Sequence, residues 1–353
     1  MTSTTIDRAN ELKNITFLKC ILMLLVVLGH ALGFWSGTWF SCIEPAKAAP
    51  ILKLISSYLG SFHIYGFVLA SGYLYAYVRY ERKGYPSFGK FIRNKAMRLL
   101  LPYAFALTVW VLPITQIFFR YDWKTVLLRF ILGEAPGQLW FLLMLFGVFL
   151  LVWPLSDLFR SKPFWGLCLS LAFYGLGTIA GLFLPNFFQW KTVLQFVLFF
   201  FVGFCLRTVE KPLIRNIHPL LWIALHLGLF ALALLIPTDR TIFKLCLLAL
   251  EPILHLTGAC MTFSILQKLG ARGNWQTSQL FRFFSLRSMP IYLFHQQVIY
   301  VVLFLLNGKL TPYLLAPLCF LSALGVSIGI SSLLLLWNPT RVLLGEKPKQ
   351  PTV

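Results

Sequence analysis

Lys19 and His30 stand eleven residues apart in a run of otherwise apolar side chains. Eleven helical steps of about 100° come to nearly three full turns, so a helix here aims both groups the same way, roughly 16 Å apart. Ionisable groups in hydrocarbon cost several kcal/mol on most scales, which makes each one a functional candidate. The plainer alternative is that Lys19 snorkels to the membrane surface while His30 bonds a neighbouring helix. His63 and Glu251, counted from the opposite face, reach nearly the level of His30. His255 follows Glu251 by four residues, which puts a carboxylate where it could orient an imidazole, or simply form a buried hydrogen bond beside the kink expected at Pro252. His295, followed by Gln296 and Gln297, occupies a later apolar stretch, and the solitary His226 reads as structural.

A different chemistry is written between Arg79 and Arg98. Arg79, Arg82, Lys83, Lys90, Arg93, Lys95 and Arg98 face a single acid, Glu81. A solvated loop or one lying on anionic lipid would explain such a run. Lys95 and Arg98, however, are spaced to share one helix face, where together they could grip phosphates.

The elements that must carry these residues follow from composition. With 58% hydrophobic and 12% charged residues and a mean hydropathy of +0.77, no water-soluble globule could hide the apolar surface. The expected fold is all-α, a polytopic transmembrane bundle of about ten helices, near 16–36, 54–78, 99–119, 138–158, 163–184, 191–206, 217–236, 242–266, 287–306 and 311–337. The sixth is short, because Pro185 and Lys191 delay it and Arg207 and Glu210 close it early. The polar opening predicts no cleavable signal, and the first span is expected to stay in the membrane as an anchor.

The net charge of +20 raises the question of a nucleic-acid partner. With both termini in the cytoplasm, 22 of the 31 Lys and Arg fall on inner segments and 9 on outer ones, the positive-inside pattern of a membrane protein. The charge therefore reports topology, and no nucleic-acid partner is expected. The chain reads as one domain, 1–353, with residues 1–15 and 338–353 as cytoplasmic ends. Its longest outer loops fall near 37–53 and 120–137. Seven cysteines without CxxC spacing predict neither a disulfide framework nor a metal site.

Five ordered segments resemble the membrane-bound acyltransferase 3 family. FLKCILMLLVVLGH (Phe17 to His30) is similar to its first-helix signature, with Lys19 and His30 at the basic and histidine positions. SFHIYGFVLASGYLYAY (Ser61 to Tyr77) resembles the second helix, and FIRNKAMRLLLPY (Phe91 to Tyr103) the basic third-helix entrance, with Lys95 and Arg98 in its paired positions. QLWFLLML (Gln138 to Leu145) and SMPIYLFHQQV (Ser288 to Val298) resemble the fourth helix and the Tyr-then-His helix near the C-terminus. The first two segments look closest to the branch of fucose 4-O-acetylases and related sugar acetyltransferases. Two departures stand out: Thr16 replaces a common acid before Lys19, and Ile64-Tyr65 replaces a Met-Pro after His63.

The resemblance implies an O-acetyltransferase of a bacterial inner membrane. Acetyl would pass from cytoplasmic acetyl-CoA to a hydroxyl of a sugar, a surface polysaccharide or its lipid-linked precursor, in company with polysaccharide-biosynthesis machinery. Lys19, Lys95, Arg98 and Arg93 would hold the phosphates of CoA. His30 would serve as general base or as an acyl-carrying nucleophile, His63 would bind the sugar or donate to the oxyanion, and Glu251 would orient an imidazole. The rival expectation is a transporter or flippase for a lipid-linked sugar, since intramembrane His and Glu also serve proton-coupled transport.

Overall fold

A computed structural model describes residues 3–37, 40–209, 217–237, 239–272 and 278–349. Every regular element among them is a helix, as expected where lipid offers no partner to an open backbone. In chain order the helices are α1 (Ser3–Gly33), α2 (Pro50–Gly60), α3 (His63–Ala76), α4 (Phe88–Ala106), α5 (Leu112–Phe119), α6 (Trp123–Val126), α7 (Trp140–Ser161), α8 (Pro163–Phe183), α9 (Trp190–Thr208), α10 (Pro219–Leu235), α11 (Thr241–Arg272), α12 (Gln279–Leu306), α13 (Pro312–Leu334) and α14 (Asn338–Leu343). Proline opens α2, α8, α10, α13 and α14, where its missing N–H costs no hydrogen bond.

Nine of the described helical runs are long and apolar enough to cross a bilayer, and α10 adds a shorter apolar helix of 17 residues. The short span is therefore the seventh. The sixth, expected over 191–206, runs from Phe187 to Thr208. Its regular helix starts at Trp190, after a 3₁₀ turn with positive φ at Phe188 and Gln189, and the Lys191 amide donates to the Asn186 side chain, whose own amide reaches Gln189 and Thr192. Glu210, expected to close this span, lies outside the described residues.

The third span also starts early, at Phe88, where the Ser87 hydroxyl caps the Lys90 amide. Lys95 and Arg98 thus ride the second and third turns of α4 instead of its entrance. Farther on, a wide π turn over Leu107–Val111 joins α4 to α5 next to Pro113, whose ring and missing N–H do not fit a regular interior turn.

The second span is not one helix. It breaks between Gly60 and His63, with Phe62 at φ −139°, and the freed groups find partners on other helices. The Ser61 carbonyl accepts from His255 Nδ1 at 2.9 Å, and its hydroxyl lies 3.1 Å from His226 Nε2. Beyond the break, α3 crosses α9 backbone against backbone. A Cβ on Gly72 would stand 2.0 Å from the Phe200 carbonyl oxygen, and one on Gly203 would stand 1.9 Å from that of Leu69. Lipid tails supply no hydrophobic drive between helices, so close van der Waals approach at such glycines holds them together. The α3 helix also packs on α1 and α11, while α1 touches α2, α12 and α13. The centre of the bundle is thus built around α1 and α3.

Candidate active site

Lys19 and His30 lie on the single unbroken helix α1, so their alignment is a property of one rigid element. His30 Nδ1 is 2.7 Å from His295 Nε2 on α12, with the two rings nearly parallel at 7°. His295 is fully buried, and its Nδ1 lies 2.9 Å from the Tyr292 carbonyl and 3.1 Å from that of Ile291. Carbonyls only accept, so this nitrogen carries a proton and His295 Nε2 offers a lone pair. His30 Nδ1–H then donates to it, and the basic lone pair of His30 is on Nε2.

Neighbouring helices fix α12 at this point. The Gln138 side-chain amide donates to the Leu293 carbonyl and to Gln297 Oε1, both at 2.8 Å. Tyr292 donates its hydroxyl to the Gln138 carbonyl, and the Trp110 indole donates to the Phe294 carbonyl at 3.0 Å. His63 opens α3 just past the break and gives its Nδ1 proton to the Leu59 carbonyl. Its ring edge faces Gly29, where an added Cβ would meet His63 Nε2 at 4.0 Å. His30, His63 and His295 therefore converge from α1, α3 and α12.

Glu251 does not join them. It is exposed on α11, beside Tyr65 and Tyr174, and no hydrogen bond or ion pair links it to a histidine among the described residues. The pairing with His255 fails because the Ser61 carbonyl, orphaned at the break, takes the His255 Nδ1 proton, and Tyr65 stacks on the ring at 3.9 Å. His226 is wholly buried between the Ser61 hydroxyl and the Leu254 carbonyl.

About three helical turns down α1, Lys19 lies over the Phe67 ring at 5.3 Å. Lys95 stands 3.8 Å from the centre of the Phe149 ring, with Tyr85 and Phe91 around it. Lys19, Lys95 and Arg98 are close enough to repel one another, and no acid forms an ion pair with any of them among the described residues. Cation–π contact stabilises an ammonium without neutralising it, so the cluster keeps its net positive charge. Arg93 is exposed and lies about 200° around α4 from Lys95, pointing away. Other cations nearby are satisfied: Arg207 pairs with Glu81 and donates to the Tyr73 hydroxyl, while Arg79 holds the Tyr75 hydroxyl, Ser156 and the Trp153 carbonyl and faces Asp157 at 3.7 Å.

Histidines meeting between helices at one level of α1, and clustered cations at another, form a two-station site along one helix. The sequence profile described as an acyltransferase domain matches residues 12–336, from just before Lys19 to beyond His295. The chain belongs to the acyltransferase 3 family. No curated protein and no solved structure gave a match. The protein is thus a multi-pass membrane acyltransferase. Sequence reasoning singled out His295 but gave it no role; the Tyr-then-His segment was the available signal. It gave Gln138 none either, although that residue opens the quoted fourth-helix segment. Among the described residues no group of three His, Cys, Asp or Glu is placed to hold a metal ion.

Proposed function

We propose that this acyltransferase takes acetyl from cytoplasmic acetyl-CoA and delivers it to a sugar hydroxyl presented from the opposite side of the cytoplasmic membrane. The observation that carries the proposal is the bond from His30 to His295, on the same helix as Lys19, which forms no ion pair among the described residues. Lys19, Lys95 and Arg98 would bind the donor's phosphates through charge-assisted hydrogen bonds, and Arg93 would act only as a more distant surface charge. The roughly 16 Å along α1 suits the arm of CoA. The fucose 4-O-acetylase-like signatures favour acetyl as the acyl group and sugar as the acceptor, the latter in free, polymeric or lipid-linked form beside the enzymes that assemble it.

In this reading His30 Nε2 removes the hydroxyl proton as the oxygen attacks the thioester carbonyl. The tetrahedral adduct then expels the CoA thiolate, which recovers the proton from the imidazolium, leaving an O-acetyl ester and free CoA. His295, accepting from His30 Nδ1–H, fixes the tautomer and steadies the imidazolium. His63 has its Nδ1 proton committed to Leu59, so its Nε2 accepts; it would orient the attacking hydroxyl and not donate to the oxyanion. Glu251 is left outside the reacting group. Purified protein with radiolabelled acetyl-CoA and candidate glycans tests this, comparing wild type with His30→Ala and Lys19→Ala. Label transfer is expected to collapse in the first and to need more donor in the second. Undiminished transfer by His30→Ala would overturn the proposal, and label held on the protein through His30 would replace direct transfer with an acyl-histidine route.

A further inference from the structure

Residues from 34–37 and 40–53 line a cavity of about 610 Å³, Phe34, Trp35, Phe40, Ser41, Glu44 and Lys53 among them. This volume falls within the range of about 300–1,000 Å³ usual for small-molecule sites, and it has room for more than one sugar ring. Phe34 follows His30 by four residues, in the 3₁₀ turn just past the end of α1 and away from Lys19. The cavity therefore opens at the end of the bundle opposite the cation cluster.

Its wall is fastened to the helix that carries His295. Asn307, just past α12, accepts from the Ala46 amide at 3.0 Å and donates to the Glu44 carbonyl at 2.8 Å. Phe40 stacks on Tyr300 of α12 at 4.2 Å and 9°, and the Cys42 thiol reaches the Phe118 carbonyl. The site is thus held in shape before a ligand arrives, which reduces the ordering cost of binding. Glu44 and Lys53 are both exposed, and neither forms an ion pair among the described residues. One carboxylate and one ammonium give the lining no net charge but a strong acceptor and a strong donor, set among aromatic rings. A polyanion or a simple cation would meet repulsion from one of the two. A neutral polyol would use both, with its C–H faces against the rings.

We propose that this cavity is the acceptor subsite and binds a neutral oligosaccharide, with Glu44 and Lys53 hydrogen-bonding its hydroxyls. The inference rests on the function proposed above for the acceptor side of the reaction. Full-length protein in nanodiscs, carrying His30→Ala to prevent turnover, is titrated with reducing-end-tagged maltotriose, cellotriose and chitotriose. The same is done after adding Glu44→Gln or Lys53→Met, with acetyl-CoA binding as the control for folding. At least one trisaccharide is expected to bind saturably, and each substitution to weaken it about tenfold or more, the loss of a hydrogen bond to a charged group, with acetyl-CoA affinity unchanged. Failure of all three to bind, including a case where phosphoethanolamine binds instead, overturns the inference, as does binding that both substitutions leave intact. Transfer assays with His30 intact separate the two ideas. If glycans are acetylated with an acceptor KM indifferent to Glu44 and Lys53, the subsite falls and the function stands. If trisaccharides bind through Glu44 and Lys53 but accept no acetyl, the subsite stands and the function falls.

Discussion

Two groups of histidines sit on different helices of one bundle and are wired in opposite ways. Around the break between α2 and α3, His226 and His255 spend their polar contacts on the Ser61 hydroxyl and carbonyl, left over where a helix stops, and on the Leu254 carbonyl within α11. Around His30, imidazole bonds imidazole, and the far nitrogen of His295 and Nδ1 of His63 end on backbone carbonyls. The first arrangement satisfies the fold, and the second leaves a proton-accepting chain that ends on His30. The cations divide the same way: Arg79 and Arg207 face Asp157 and Glu81, whereas Lys19 and Lys95 face aromatic rings. An ionisable group inside a membrane protein is thus a guide to function mainly when no local backbone or counter-charge already claims it.

The largest effects should come from breaking the histidine contrast. His30→Ala is expected to lower kcat by about 10²–10⁴-fold while the protein still folds and binds acetyl-CoA. His226→Ala should do the reverse, removing about 1–3 kcal/mol of stability through unsatisfied groups at the break. Its folded fraction should transfer acetyl normally, as thermal unfolding and single-turnover assays would tell. His295→Ala should cost about tenfold to a hundredfold in kcat with donor KM unchanged, and His295→Gln, which keeps an acceptor, should recover part of that. An altered pH–rate profile in His295→Ala distinguishes positioning from mere packing.

Smaller effects sharpen the contrast among the cations. Lys95→Met should weaken acetyl-CoA binding about tenfold, most clearly at low salt, whereas Arg207→Met should lower the melting temperature without touching acetyl-CoA affinity. The smallest effect is expected in the C-terminal segment after α14, where Gly345 lies against Arg98 and Pro102 and Glu346 is within reach of Arg98 and Arg341. Burial raises the Glu346 carboxyl, and the two arginines only partly offset this. A raised folded-state value means its stabilising contribution is complete below about pH 4 and is lost as pH rises through the raised value. Glu346→Gln should therefore flatten the pH dependence of melting and slightly tighten acetyl-CoA binding, because Arg98 loses a competing charge.

Much of the bundle was legible because lipid leaves a chain few options. A run of about twenty apolar residues must be a helix, and period alone fixes which side chains on it share a face, so Lys19 and His30 were aligned before any fold was known. Boundaries were less legible. The extra turns of α4 and the full length of the sixth span depend on Ser87 and Asn186 capping backbone groups, and the broken second span depends on His226 and His255, which lie far along the chain from Ser61. The i,i+4 geometry of Glu251 and His255 was correctly read, yet it decided nothing once Ser61 offered a better partner.

His30 met its partner 265 residues away, a separation no periodicity can report. The aromatic ring nearest Lys95 likewise comes from Phe149 on another helix. The sequence by itself determined that this chain spans a membrane, which residues ride together on α1, and the acyltransferase signatures. Only the tertiary structure decided which imidazole is bonded to which, which cations lack an acid, and where a cavity remains, because those depend on contacts between helices that the apolar pattern treats alike.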